Sequence, residues 1–137
     1  MSPEASKKKI LVVDDEESIR EVLRARLEAA GYQILSVASG EKALQLIQNE
    51  TPDVIVLDVF LPGEDGLAVL KKLKRPVDRK TGEPSKTRQI PVIVITGKAE
   101  QMEEMFRMED AFAFFGKPFD FIALQASIQK ALNQKKA

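Results

Sequence analysis

Four uninterrupted apolar runs mark this chain, and each stops on polar residues. Residues 10–13 run into Asp14 and Asp15, residues 54–57 into Asp58, residues 92–95 into Thr96, and residues 112–116 into Lys117 and Pro118. Runs of this length without polar alternation predict strands covered on both faces, as in a parallel sheet. Between them the spacing becomes helical. Ile19, Val22, Leu23, Leu27 and Ala30 recur at helical intervals, with Gly31 placed to end the helix. Residues 33–37 predict another strand, and Ser39 an N-cap for a helix bearing Ala43, Leu44, Leu46 and Ile47 that stops before Pro52. The sequence Leu-Pro-Gly-Glu-Asp-Gly at 61–66 predicts a turn, followed by a short helix through Leu67, Leu70 and Leu73. A helix near 99–109 carries Met102, Met105 and Met108, and a last one carries Leu124, Ile128 and Leu132.

Strands and helices thus alternate through five β-α units. That order predicts an α/β domain, a parallel sheet with helices on both faces joined by right-handed crossovers. In such a sheet the carboxyl ends of the strands form the ligand crevice. Three carboxylates (Asp14, Asp15, Asp58), the Thr96 hydroxyl and the Lys117 ammonium should therefore converge there.

Composition narrows the chemistry. The 137 residues suit one domain, burying roughly 70% of its unfolded surface. We read it as residues 9–133, with tails at 1–8 and 134–137 and an extended basic loop at 75–89. There is no cysteine and no histidine, so disulfides, thiolate or imidazole metal ligands, and thiol or histidine catalysis are excluded. The N-terminal residues lack the apolar stretch of a signal peptide, and no apolar run approaches the roughly 20 residues of a membrane span. A soluble, cytoplasmic protein with no membrane partner is the expectation. Formal charge is zero, with 21 basic and 21 acidic residues, which argues against direct nucleic-acid binding. The charge is uneven, however. Residues 71–88 hold eight Lys/Arg against Asp78 and Glu83, a local +6.

The segments Val-Val-Asp14-Asp15-Glu, Leu-Asp58-Val-Phe60-Leu-Pro62-Gly-Glu-Asp-Gly66, Ile-Thr96-Gly and Lys117-Pro118-Phe119 resemble the receiver domain of two-component response regulators. The resemblance covers residues 9–132, with all five functional positions in order. It implies a flavodoxin-like (βα)5 fold, doubly wound, with strand order 2-1-3-4-5. It also implies a phosphoacceptor role in a phosphorelay: Asp58 takes a phosphoryl group from a histidine kinase or phosphotransfer protein, forming an aspartyl phosphate. Mg²⁺ is the implied cofactor, with Asp15 a direct ligand, Asp14 acting largely through water, Asp58 itself, and the backbone carbonyl of Phe60. Thr96 and Phe114 are the implied switch pair. Family partners dock on the face of the fourth helix, fifth strand and fifth helix, and a phosphorylation-dependent dimer is a further expectation.

These roles make physical sense on their own. Three close carboxylates are unfavourable without a cation, and oxygen donors suit Mg²⁺, which also binds phosphate oxygens. Three aspartates, one dication and Lys117 sum to a neutral site, so an arriving phosphoryl group meets no net repulsion. Asp58 would be the nucleophile, and Lys117 would stabilise charge on the transferring oxygens. Two departures from the family pattern stand out. Phe114, commonly tyrosine in the family, lacks a hydroxyl and should sit inward more readily. Phe60, a bulky apolar residue beside the line of water attack, should slow hydrolysis of the aspartyl phosphate.

Plainer readings compete for single residues. Acidic residues favour a helix N-terminus, which suits Asp14-Asp15 alone. Thr96 could cap a strand, Lys117-Pro118 could start the last helix, Asp65-Gly66 fits turn chemistry, and the methionines fit helix packing. The 75–89 segment reads as a solvated loop. The sharper alternative is a basic docking element for an acidic partner or a second copy. The chain is expected to act as a stand-alone response regulator through protein contacts, with no catalysis on an external substrate. The alternatives are a receiver belonging to a longer regulator with a DNA-binding or enzymatic output, and a phosphate-independent interaction module. A flavodoxin-like cofactor binder shares the architecture, but Asp14-Asp15-Glu16-Glu17 stand where it would need a glycine-rich phosphate loop.

Overall fold

In the computed structural model, residues 7–59, 61, 66–97 and 111–135 are described. Five parallel strands, β1 (Lys9–Val13), β2 (Gln33–Val37), β3 (Val54–Asp58), β4 (Val92–Thr96) and β5 (Ala113–Gly116), form one sheet in the order β2-β1-β3-β4-β5. Helices α1 (Glu17–Ala29), α2 (Gly40–Asn49), α3 (Gly66–Leu73) and a C-terminal helix (Phe121–Lys135) cover it. The expected architecture and strand order are both present. The helix expected at 99–109, with its methionines, lies outside the described residues, as do Phe60 and residues 62–65 of the expected turn.

Strand alternation sorts the core into two layers. Leu11, Val13, Ile55, Leu57, Val92 and Val94 face α2 and α3, meeting Ala43, Ile47, Val69, Leu70 and Leu73. Ile10, Val12, Val54, Val56, Ile93 and Ile95 face α1 and the C-terminal helix, meeting Leu23, Leu27, Leu124, Ile128 and Ala131. The three inner strands are therefore apolar on both faces. The run at 112–116 differs, because β5 is an edge strand and only half-buried.

Local signals act where the sequence places them. Gly31 adopts a positive φ of 99°. There Gly31 N–H reaches Glu28 O (3.0 Å) and Tyr32 N–H reaches Leu27 O (3.1 Å), the paired bonds of a Schellman ending. The Ser39 hydroxyl accepts from Lys42 N–H at 3.2 Å, capping α2. On α1, only part of the predicted stripe faces the core: Leu23 and Leu27 are buried, while Val22 is 52% exposed and Ala30 is exposed beyond the last turn. The C-terminal helix runs two residues into the segment read as a tail, its last turns anchored by buried Ala131 and Leu132.

The 75–89 segment is largely exposed, as its composition suggests, but it is organised by its own backbone bonds. Val77 and Pro84 form an antiparallel bridge. Asp78 N–H donates to Glu83 O (2.8 Å), Gly82 N–H to Asp78 O (2.8 Å) and Ser85 N–H to Pro76 O (3.0 Å). Backbone pairing and side-chain turn bonds offset ordering costs that composition alone cannot reveal.

Candidate phosphoacceptor site

Sheet register brings the predicted residues together. Val13 pairs with Leu57, so Asp14 leaves β1 beside Asp58 at the end of β3. Asp58 pairs with Ile95, one residue before Thr96. Thr96 in turn pairs with Gly116, one residue before Lys117. Each side chain thus emerges at the carboxyl edge of its strand, one step further across the sheet. Asp14 and Asp58 also continue the alternation of Ile10/Val12 and Val54/Val56, so both turn to the same face.

Asp14 and Thr96 are fully buried and Asp58 nearly so, while Asp15 is exposed. Carboxylate oxygens of Asp14, Asp15 and Asp58 lie within 4.8 Å of one another. Lys117 Nζ stands 2.9 Å from Asp14 Oδ2 and 3.2 Å from Asp58 Oδ2. Its backbone N–H donates to Thr96 O at 2.7 Å, tying β5 to β4 at the site. The Asp14 backbone is fixed as well: its N–H donates to Val37 O and its carbonyl accepts from the Arg20 guanidinium at 2.7 Å. Phe114 packs half-buried against the layer facing α2 and α3. Lys117 and Pro118 precede the C-terminal helix, which starts only at Phe121, so they do not form its first turn.

One participant escaped the sequence reading. Lys117 Nζ also donates to Glu16 Oε1 at 3.2 Å, and Glu16 N–H donates to Asp14 Oδ1 at 2.9 Å. The signal was the third acidic residue after β1, which sequence alone assigns to the helix N-terminus. Adding Glu16 makes the site more negative than the neutral count. Burial alone would lower the Lys117 pKa. The hydrogen bond and charge of Asp14, with Asp58 and Glu16, outweigh it and hold the ammonium above its ordinary value.

The acids fit a hard divalent cation on this geometry. Asp14 Oδ2 is buried and faces the Lys117 ammonium at 2.9 Å. Two buried carboxylates and one exposed one, with oxygens within 4.8 Å of one another and a single ammonium among them, are a donor set for an ion that keeps some of its waters.

Gly66 packs against the backbone of Asp58 and Val59. Its N–H donates to Val59 O at 2.8 Å, and a Cβ there would fall 2.5 Å from Asp58 O and 2.6 Å from Val59 Cα. Only glycine allows that approach.

Comparison with known proteins agrees with this geometry. Residues 10–129 match the family model described as the response regulator receiver domain. The chain is 38% identical over 132 residues to a probable transcriptional regulator, ycf27, of Cyanophora paradoxa, covering 96% of this chain and 51% of that one. It is 37% identical to the alkaline phosphatase synthesis transcriptional regulatory protein PhoP of Bacillus subtilis, covering 93% of this chain and 49% of that one. The chain thus spans about half the length of these curated relatives. Its structure resembles a CheY-like response regulator receiver domain protein of Methanospirillum hungatei, with a TM-score of 0.81, 28% identity and coverage of 96% and 98%.

Proposed function

The chain belongs to the response regulator receiver domain family, and from that premise we propose that Asp58 accepts a phosphoryl group from a histidine kinase or phosphotransfer protein and that the modified domain signals through protein contacts. It is a signalling component of a two-component system rather than a classical enzyme. The observation that carries the reading is Lys117 Nζ held 3.2 Å from Asp58 Oδ2 within a cluster of three aspartates.

In the proposed transfer, an Asp58 oxygen attacks phosphorus as the phosphorus–nitrogen bond of the donor phosphohistidine breaks, and its electron pair leaves on the imidazole nitrogen. Lys117 bears on the transferring oxygens as a fixed positive charge that needs no reorganisation. Asp14, Asp15 and Asp58, with the Phe60 carbonyl that the family pattern implies, would hold Mg²⁺. When bound, Mg²⁺ neutralises the carboxylates and the phosphoryl oxygens. Thr96 would then donate its hydroxyl to a phosphoryl oxygen, and Phe114 would follow it inward, changing the surface offered to a target.

A second reading rests on length. The relatives of about twice this span are transcriptional regulators, partly at odds with the expectation of no nucleic-acid partner. On that reading this receiver governs an output carried by further chain.

Intact mass with Mg²⁺ and a small phosphoryl donor tests the chemistry. One added phosphoryl group is expected in the wild type and none in Asp58→Asn or without metal. No addition in the wild type would leave the site residues as fold determinants only.

A further inference from the structure

The phosphoacceptor chemistry leaves the basic hairpin at 75–89 without a role. Its construction is elaborate for a passive connection. Besides the Val77–Pro84 bridge, the Asp78 carboxylate accepts from Lys80 N–H at 2.8 Å, and Thr81 Oγ1 accepts from Glu83 N–H at 3.2 Å. The base is fastened to α3: the Thr87 hydroxyl donates to Leu73 O at 2.8 Å, and Lys74 Nζ donates to Arg88 O and Ile90 O at 2.9 and 2.6 Å. Arg79, Lys80, Lys86 and Arg88 are exposed on this frame, and Val77 presents a 46% exposed apolar side chain among them.

The hairpin lies away from the site. Helix α3 starts with Gly66 against Asp58 O and runs to Leu73, about 12 Å along its axis. The chain re-enters the sheet at Val92, paired with Ile55 near the start of β3 rather than with Asp58 at its end.

We propose that the 75–89 hairpin is a docking element for an acidic protein segment, bound whether or not Asp58 is phosphorylated. Charge complementarity selects this occupant. A symmetric second copy would bring two basic hairpins together. A head-to-tail copy would set its exposed Asp15, Glu16 and Glu17 on the hairpin and cover the end that a phosphoryl donor must reach. Nucleic acid and anionic lipid are bound chiefly through phosphate charge, whereas this hairpin sets the exposed apolar side chain of Val77 among its basic residues. A preformed frame also spares the ordering cost of binding. An apolar contact ringed by charge is the anatomy of a protein interface.

The test titrates the isotope-labelled chain, by NMR, with a synthetic peptide of glutamate pairs separated by leucines. Amide shifts are expected at 75–89, with affinity that falls as salt rises. Binding should weaken at least about tenfold in R79E/K80E/K86E, and clearly in R79A/K80A should the first variant fail to fold. Val77→Ser should weaken it about threefold. Mg²⁺ with beryllofluoride should leave the affinity unchanged. The proposal falls if the charge variants bind like wild type, if shifts map elsewhere or are absent, if beryllofluoride alters affinity, or if a DNA duplex or phosphatidylserine vesicle binds more tightly at equal salt. Failure of beryllofluoride to bind would count against the phosphoacceptor reading alone.

Discussion

Lys117 draws three acids from two segments onto one ammonium: Asp14 and Glu16 between β1 and α1, and Asp58 at the end of β3. The two buried aspartates limit where the amine can settle, and exposed Glu16 biases it toward the mouth of the site. Gly66 makes a tighter demand. Its missing Cβ leaves room for the Asp58 carbonyl and Val59 Cα, so any side chain must push the backbone of Asp58 itself. Gly66→Ala should cost about 1–3 kcal/mol, the usual scale for overpacking, and slow phosphorylation of Asp58. Urea unfolding checks the first effect and the rate of phosphoryl uptake the second. Wild-type values for both would show that the loop yields freely.

At the scale of elements, caps and fastenings matter more than propensity. The α2 sequence has an apolar face, but its start is set by Ser39, whose oxygen takes the Lys42 N–H. Ser39→Ala should lower stability by about 1 kcal/mol with phosphorylation unchanged, measured by denaturant unfolding alongside phosphoryl uptake. The hairpin follows the same logic: Thr87 and Lys74 tie it to the end of α3 and the start of β4. On α1, the helical period identified Leu23 and Leu27 as core. It misassigned Val22, because the helix meets the sheet along a narrower stripe than the apolar pattern spans.

At the scale of the whole molecule, the acidic cluster and the basic hairpin lie apart. Among the described residues, Asp14, Asp15, Glu16 and Asp58 gather at the carboxyl ends of the strands, whereas the basic hairpin follows α3 and precedes the start of β4. The clustered aspartates should make stability respond to a divalent cation. Adding Mg²⁺ at ten times its dissociation constant should stabilise the fold by about 1.4 kcal/mol, which follows from mass action, and the gain should vanish in Asp14→Asn. Thermal unfolding with and without chelator measures it. An equal gain in both proteins would place the ion elsewhere.

Much of this was legible in the sequence, because local physics wrote it there. Unbroken apolar runs require strands covered on both faces, Gly31 and Ser39 end and begin helices, and residues at the ends of parallel strands must share one edge of the sheet. The family resemblance supplied the strand order, which apolar patterning alone does not set. Other features were decided only by the tertiary structure. Register, a property of paired strands, set Asp14 beside Asp58 and brought Lys117 within reach of both. Glu16 joined them because α1 starts where it does in space. Gly66 is required by a backbone eight residues away in sequence, and the basic segment became a hairpin through its own backbone bonds, fastened at its base to α3. Composition reports what a segment can do in water; only packing shows which of its polar groups find partners.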